Sequence, residues 1–243
     1  MLITVSKQDF RAALSAVVPH TNPKVTGHDR IQCYVVGGLL YVQATSGATL
    51  ALAVVSIWDY LDLTASLADD SFTLSITEVS EIVKVFSPSK DEEESEDDGL
   101  QDPLQITAQG DELSFLDIGG LFPGKEYGLP NANRAESYLN IPAPLLPAKG
   151  RALPIRATLG AQMLKKFQPA AAAYGHPLTL EAGQSAKVAI VSCGESFRGA
   201  IVLPDEEVEE RRLGRELDEQ REGWSRRLPT VIELLSMPSA AAT

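Results

Sequence analysis

Two stretches of this 243-residue chain decide its reading: Thr77–Pro88, TEVSEIVKVFSP, and Thr158–Pro169, TLGAQMLKKFQP. Thr77, Lys84, Phe86 and Pro88 recur at identical spacing as Thr158, Lys165, Phe167 and Pro169. Val79, Ile82, Val83 and Phe86 in the first stretch, and Leu159, Met163 and Phe167 in the second, fall at helical spacing. Each stretch is therefore an amphipathic helix with a lysine off its apolar stripe. Strand-type runs surround both. Ser71–Ser75 precedes the first helix, and Leu104–Ala108 and Leu113–Ile118 follow it around Gly110 and Asp111. Leu153–Ala157 precedes the second, and Leu178–Glu181, Ala186–Cys193 and Phe197–Leu203 follow it. The N-terminal part has the same order. Residues 2–5 form a strand, Phe10, Leu14, Val17 and Val18 mark a helix ended by Pro19, and Ile31–Val36, Leu39–Thr45 and Thr49–Ile57 are strands separated by Gly37-Gly38 and Ser46-Gly47. A unit of strand, helix and following strands thus occurs three times.

The class expected is α+β, with each helix stripe buried on an antiparallel sheet. Two units fill residues 1–130 and close one domain, with an acidic loop at 91–103. Residues 131–152, rich in Pro and Ala, connect it to a shortened second domain at 153–204, with a short strand possible at Tyr138–Ile141. Acids and arginines at i, i+4 offsets then make a solvated helix from 205, stopped by Gly223, and a tail to 243.

Composition narrows the class further. With 44% hydrophobic and 22% charged residues the chain is that of a globular protein. No apolar run approaches the roughly 18 residues that cross a bilayer, and the start lacks a signal peptide's apolar stretch, so a cytoplasmic location is expected. Cys33 and Cys193 lie apart in apolar strands and read as reduced core residues. The net charge of −12 argues against a polyanion partner only at first sight, because seven of the acids fall in Asp91–Asp98. A local face, not the net charge, sets where a polyanion docks. Gly119–Glu126 imitates a phosphate-binding loop but ends in Glu126, where a hydroxyl would have to hold magnesium. His20, His28 and His176 neighbour Pro or Gly and read as surface loop residues, with no metal spacing, cofactor motif or nucleophile motif beside them.

Several stretches in this order resemble the DNA sliding clamp family, the bacterial DNA polymerase III beta subunit and, more closely, shortened clamp-like proteins of actinobacterial and phage type. They are Met1–Pro23, Leu40–Thr45, Leu121–Pro130, Tyr138–Pro142 and Ala157–Phe167 through Phe197–Pro204. The resemblance implies a DNA clamp fold of repeated strand, helix and three-strand units, one full clamp domain plus a truncated second. It also implies a non-enzymatic replication processivity factor that binds duplex DNA regardless of sequence and works with a DNA polymerase or clamp loader. The chain departs from the family in having Ser46-Gly47 where an acid follows the Ala-Thr turn, and in lacking a third domain, which carries most of the family's pocket for polymerase peptides. Rings of the family close with six domains, so a homo-oligomer is implied. Two domains per chain suit a trimer and three half-domain units a tetramer.

Sliding on a duplex needs cations on the helices. Lys7 and Arg11 lie one turn apart and off the Phe10/Leu14 stripe, which lets both point away from the sheet. Lys24 matches a basic loop position of the family, and Lys84, Lys165 and Lys166 hold equivalent slots in the later helices. The same residues also fit an ordinary solvated surface. A clamp-like interaction protein, a decoy or regulator of a clamp or its loader that does not encircle DNA, is the alternative, with the acidic run and tail as its working surfaces.

Overall fold

Serines one residue before each long helix set where the helices begin. In a computed structural model, which describes residues 1–61, 70–87, 102–120, 124–131, 141, 143–146, 159–185, 187–203, 218–223 and 225–229, Ser6 Oγ accepts the Asp9 amide at 3.1 Å and opens α1 (Lys7–Val17). Ser75 and Glu78 form a reciprocal capping box at the start of α2 (Ile76–Val85), the Glu78 carboxylate accepting the Ser75 amide at 2.6 Å. Pro19 ends α1 by turning Val18–His20 into a 3-10 turn. The helix expected around Met163 is split. α3 (Ala161–Lys165) and α4 (Gln168–Tyr174) meet at Lys166 and Phe167, because Pro169 starts a new helix well but cannot continue an old one.

Among the described residues eleven strands make one sheet: β1 (Leu2–Ser6), β2 (Arg30–Val36), β3 (Leu39–Thr45), β4 (Thr49–Leu61), β5 (Ser71–Ser75), β6 (Pro103–Gln109), β7 (Glu112–Asp117), β8 (Glu126–Pro130), β9 (Leu178–Ala182), β10 (Val188–Cys193) and β11 (Phe197–Val202). The order is β5-β2-β3-β4-β1-β6-β7-β8, and β4 also pairs with β11, which leads to β10 and β9. All pairings are antiparallel. Gly37 and Gly38, at φ of 60° and 78°, supply the left-handed pair that a two-residue hairpin between β2 and β3 requires. No strand is expected at β8 from its sequence, because Gly128 and Pro130 are both disfavoured in strands.

Strand β4 joins the repeated units. Thr49–Ala53 pair with β11, Leu50–Ser56 with β3, and Ile57–Leu61 with β1 beyond a register shift at Thr4/Val5. Ala51, Ala53 and Val55 face the core under α1, and Leu50 and Leu52 pack on the opposite face with Ile141, Leu145 and Ile190. Met1–Leu203 form one compact unit, so residues 161–203 are held to the first repeat by backbone hydrogen bonds as well as by the connection. Pro204–Thr243 are a separate unit, and its described residues 218–223 and 225–229 are helical, while residue 224, on which the stop expected at Gly223 depends, lies outside the described residues. The acidic run at 91–98, the strand expected at 153–157, most of the connection and residues 205–217 lie outside the described residues.

Phe86 and Phe167, equivalent in the two quoted stretches, are both buried. The Phe167 ring lies over Gly199 of β11, where an added Cβ would come within 2.6 Å of the ring and 2.7 Å of the Leu50 carbonyl. His20 is the clearest correction to the sequence reading. It is not on the surface but 0% exposed, 4.5 Å from Phe167 and 6.2 Å from Phe197 between ring centroids, and among the described residues neither ring nitrogen has a partner at good hydrogen-bond geometry, the Lys166 carbonyl being a near neighbour only. Proline beside it suggested a loop, and the units that cover it come much later in the chain. Burial, and then the nearby Lys166 charge, push its pKa down to about 3, against the Lys166 carbonyl, which favours protonation.

Two measurements follow from this junction. Gly199→Ala should cost about 1–3 kcal/mol in urea unfolding, because the Leu50 carbonyl is backbone and cannot move aside. A neutral variant would contradict the β4–β11 contact. Because folding depresses the His20 pKa from 6.5 to about 3, its stabilising effect is complete above the unfolded value and is lost as the pH falls through that window. His20→Phe should therefore flatten the acid side of a stability-against-pH curve, and identical curves would rule the contribution out.

Candidate nucleic-acid interface

The helices share one layer. α1 touches α2 and α4, and Phe10, Leu14 and Val17 of α1, Val79 and Ile82 of α2 and Ala170 of α4 belong to one core under the sheet. Their stripes face inward, so whatever lies off the stripes faces out from that layer or toward a neighbouring helix.

The six cations expected to face a duplex do not behave alike. Lys84 and Lys165 are both exposed on their helices, as the shared spacing requires, and Lys24 is exposed in the loop after α1. That loop is shaped by its own hydrogen bonds, Lys24 N–H to Asn22 Oδ1 at 3.1 Å and Asn22 N–H to the His28 carbonyl at 2.6 Å. Arg11 is half-buried and spans two helices, its Nε donating to the Val83 carbonyl of α2 at 3.3 Å. This satisfies an acceptor in the last turn of α2 and brings Arg11 to the same seam as Lys84. Lys166 is half-buried, and burial lowers its pKa.

Lys7 does not point away from the sheet. It is 5% exposed, and its Nζ lies 2.6 Å from Asp102 Oδ1 and 2.9 Å from Asp117 Oδ2, while its amide donates to the Asp102 carbonyl. Being first in α1, Lys7 projects back past the start of the helix toward β6 and β7, which the spacing to Arg11 does not reveal. Burial lowers its pKa, but its hydrogen bonds to both carboxylates and their charge outweigh that and leave it raised. Asp117, pushed up by burial, is held below its ordinary value by Lys7, the Gly119 amide and Lys125. The cluster pins the start of β6 to the start of α1.

Carboxylates on the same layer are partly engaged elsewhere. Glu78 closes its capping box and lies 3.8 Å from Arg30. Glu81 accepts the Tyr127 hydroxyl of β8. Asp9 remains exposed in the first turn of α1. Arg30 and Lys125, two cations the sequence reading left out, are used internally, Arg30 donating to Thr73 Oγ1 and Lys125 to the Ser87 carbonyl.

No protein-family model and no curated protein matches the sequence. Solved structures do match its fold. The DNA polymerase III beta subunit of Thermotoga maritima superposes with a TM-score of 0.56 at 12% identity, over 87% of this chain and 67% of that one. The beta subunit of Pseudomonas aeruginosa gives 0.53 at 11%, over 84% and 65%. The Helicobacter pylori beta clamp, solved bound to a DNA ligase peptide, gives 0.52 at 12%, over 85% and 68%. The chain thus has the DNA clamp fold and spans about two thirds of the length of these clamps.

Removing Lys7 separates fold from function. Lys7→Met leaves Asp117 partly buried without its partner and should cost about 3–5 kcal/mol in chemical unfolding. A variant as stable as the parent would show that the cluster holds nothing in place.

Proposed function

We propose that the chain is a clamp-like DNA-binding protein that lays its helix layer along the backbone of a duplex, without reading sequence and without catalysis, and holds a DNA polymerase or another DNA enzyme there. The observation that carries this reading is the common layer of α1, α2 and α3–α4 on one continuous sheet, with Lys84 and Lys165 exposed at equivalent positions of two repeats. A repeated module repeats its surface, so cations recur along the layer at the module spacing, which suits a partner whose charge also recurs.

Charge sets the terms of such binding. With a net charge of −12 the long-range field of the chain repels a polyanion, so attraction is confined to short range at the layer. Affinity is accordingly modest and strongly salt-dependent, and useful residence on DNA comes from assembly around the duplex. Several copies are needed for that, since one chain spans about two thirds of a clamp subunit.

Binding to nicked circular duplex at several salt concentrations tests the reading. Lys84→Glu with Lys165→Glu should weaken binding and flatten the plot of log K against log salt by about 1 per lysine. Linearising the circle should release the parent protein if it encircles DNA. Parent and variant binding alike, or no binding to either DNA form, contradicts the proposal, and the second result favours the decoy or regulator.

A further inference from the structure

Among the described residues the sheet ends in three terminal strands, and they are not equally protected. β5 is covered, with Ser71, Phe72, Thr73 and Leu74 all buried. In β8, the Asn131 amide donates to the Asp111 carbonyl and the Asp117 amide to the Lys125 carbonyl, so odd-numbered positions bond to β7 and the backbone of Glu126, Gly128 and Pro130 faces the open edge. Pro130 has no amide to offer there and Gly128 has no side chain to pack, a combination that discourages strand addition. β9 has no such defence. The Gly183 amide donates to the Val188 carbonyl at 2.9 Å, which by the same alternation commits Thr179 and Glu181 to β10 and turns the amides and carbonyls of Leu178, Leu180 and Ala182 outward. Thr179, Leu180 and Glu181 are exposed, Leu180 by 41%, and among the described residues β9 pairs only with β10.

We propose that β9 is a self-association edge, at which two copies of this chain pair β9 with β9 antiparallel about a two-fold axis through Leu180. The strand is self-complementary under that operation. Leu180 meets Leu180 of the second copy, and Leu178 meets Ala182, each pair exchanging both backbone hydrogen bonds, so every outward amide and carbonyl of the strand is satisfied. Between these pairs Thr179 faces Glu181 of the second copy, a hydroxyl against a carboxylate. Moving the axis one residue to Glu181 would set two carboxylates directly opposite one another, so charge selects the Leu180 register. Glu181 is already neutralised by Arg198 at 3.1 Å, which lowers the cost of bringing two such strands together. The exposed Leu180 side chains are covered by one another.

A two-fold axis normal to a continuous sheet keeps both helix layers on the same side. The pair would then offer a duplex twice the length of cationic layer. That consequence rests on the DNA-binding reading, but the pairing does not.

Sedimentation equilibrium of the full chain from micromolar to submillimolar concentration tests the proposal. The parent should show a monomer–dimer equilibrium. Leu180→Pro removes an outward amide while leaving the β9–β10 ladder intact, and should be monomeric with an unchanged circular dichroism spectrum. Thr179→Cys with Glu181→Cys should oxidise to a covalent dimer, because Cys33 and Cys193 are buried and do not compete. A parent that stays monomeric, or dimerises equally well as Leu180→Pro, overturns the pairing, as does failure of the double cysteine variant to cross-link. Dimerisation without DNA binding would sink only the functional reading, and DNA binding by a monomer only the pairing.

Discussion

Everything in the molecule depends on β4 being hydrogen-bonded to three other strands. Its thirteen residues pair with β3, β11 and β1, and that sharing fuses modules distant in sequence into one sheet. The arrangement restricts what can stand beside β4. Alanines at 51 and 53 keep the inner face low enough for α1 to pack closely, and Gly199 leaves room for the Phe167 ring against the backbone. His20 fills the space between that ring and Phe197, and the cost of its two unsatisfied nitrogens is offset by the aromatic burial around it. Without the β4–β11 seam, α4 would have no reason to lie against α1, and the helix layer would end at the first two repeats.

The parts legible in the sequence are those governed by local rules. Helix stripes, hairpin glycines and the twelve-residue frame shared by Thr77–Pro88 and Thr158–Pro169 all report on a residue's immediate neighbours, and the helices and most strands appear where those rules put them. The frame was informative even about the surface, since Lys84 and Lys165 are exposed and Phe86 and Phe167 buried. Misreadings arose where the deciding neighbour is remote. Lys7 looked free because Asp102, just before β6, and Asp117, at the end of β7, which hold it, belong to the second repeat. His20 looked exposed because the aromatic rings that bury it belong to the third. β8 was hidden by Gly128 and Pro130, which edge strands tolerate and central strands do not.

The candidate interface shows the same division. Amphipathic period identifies which cations leave the core, but not whether they end in solvent or against another element. Arg11 illustrates the middle case, its Nε–H donating to the end of α2 while the residue remains half-exposed at the seam. Two of the acids that would weaken a polyanion site, Glu78 and Glu81, are tied to Ser75 and Tyr127. These hydrogen bonds orient the two carboxylates without removing their charge, so a polyanion at the layer would meet Glu78 and Glu81 as well as Lys84 and Lys165.

Backbone hydrogen exchange with and without duplex DNA, at low salt, probes the helix layer as the working face most directly. Slowed exchange in the helical segments around Arg11, Lys84 and Lys165, with the strands β6 to β8 unchanged, is the expected pattern. Protection that falls on those strands, or on the helical residues 218–223 and 225–229, while the helix layer exchanges as before would contradict it.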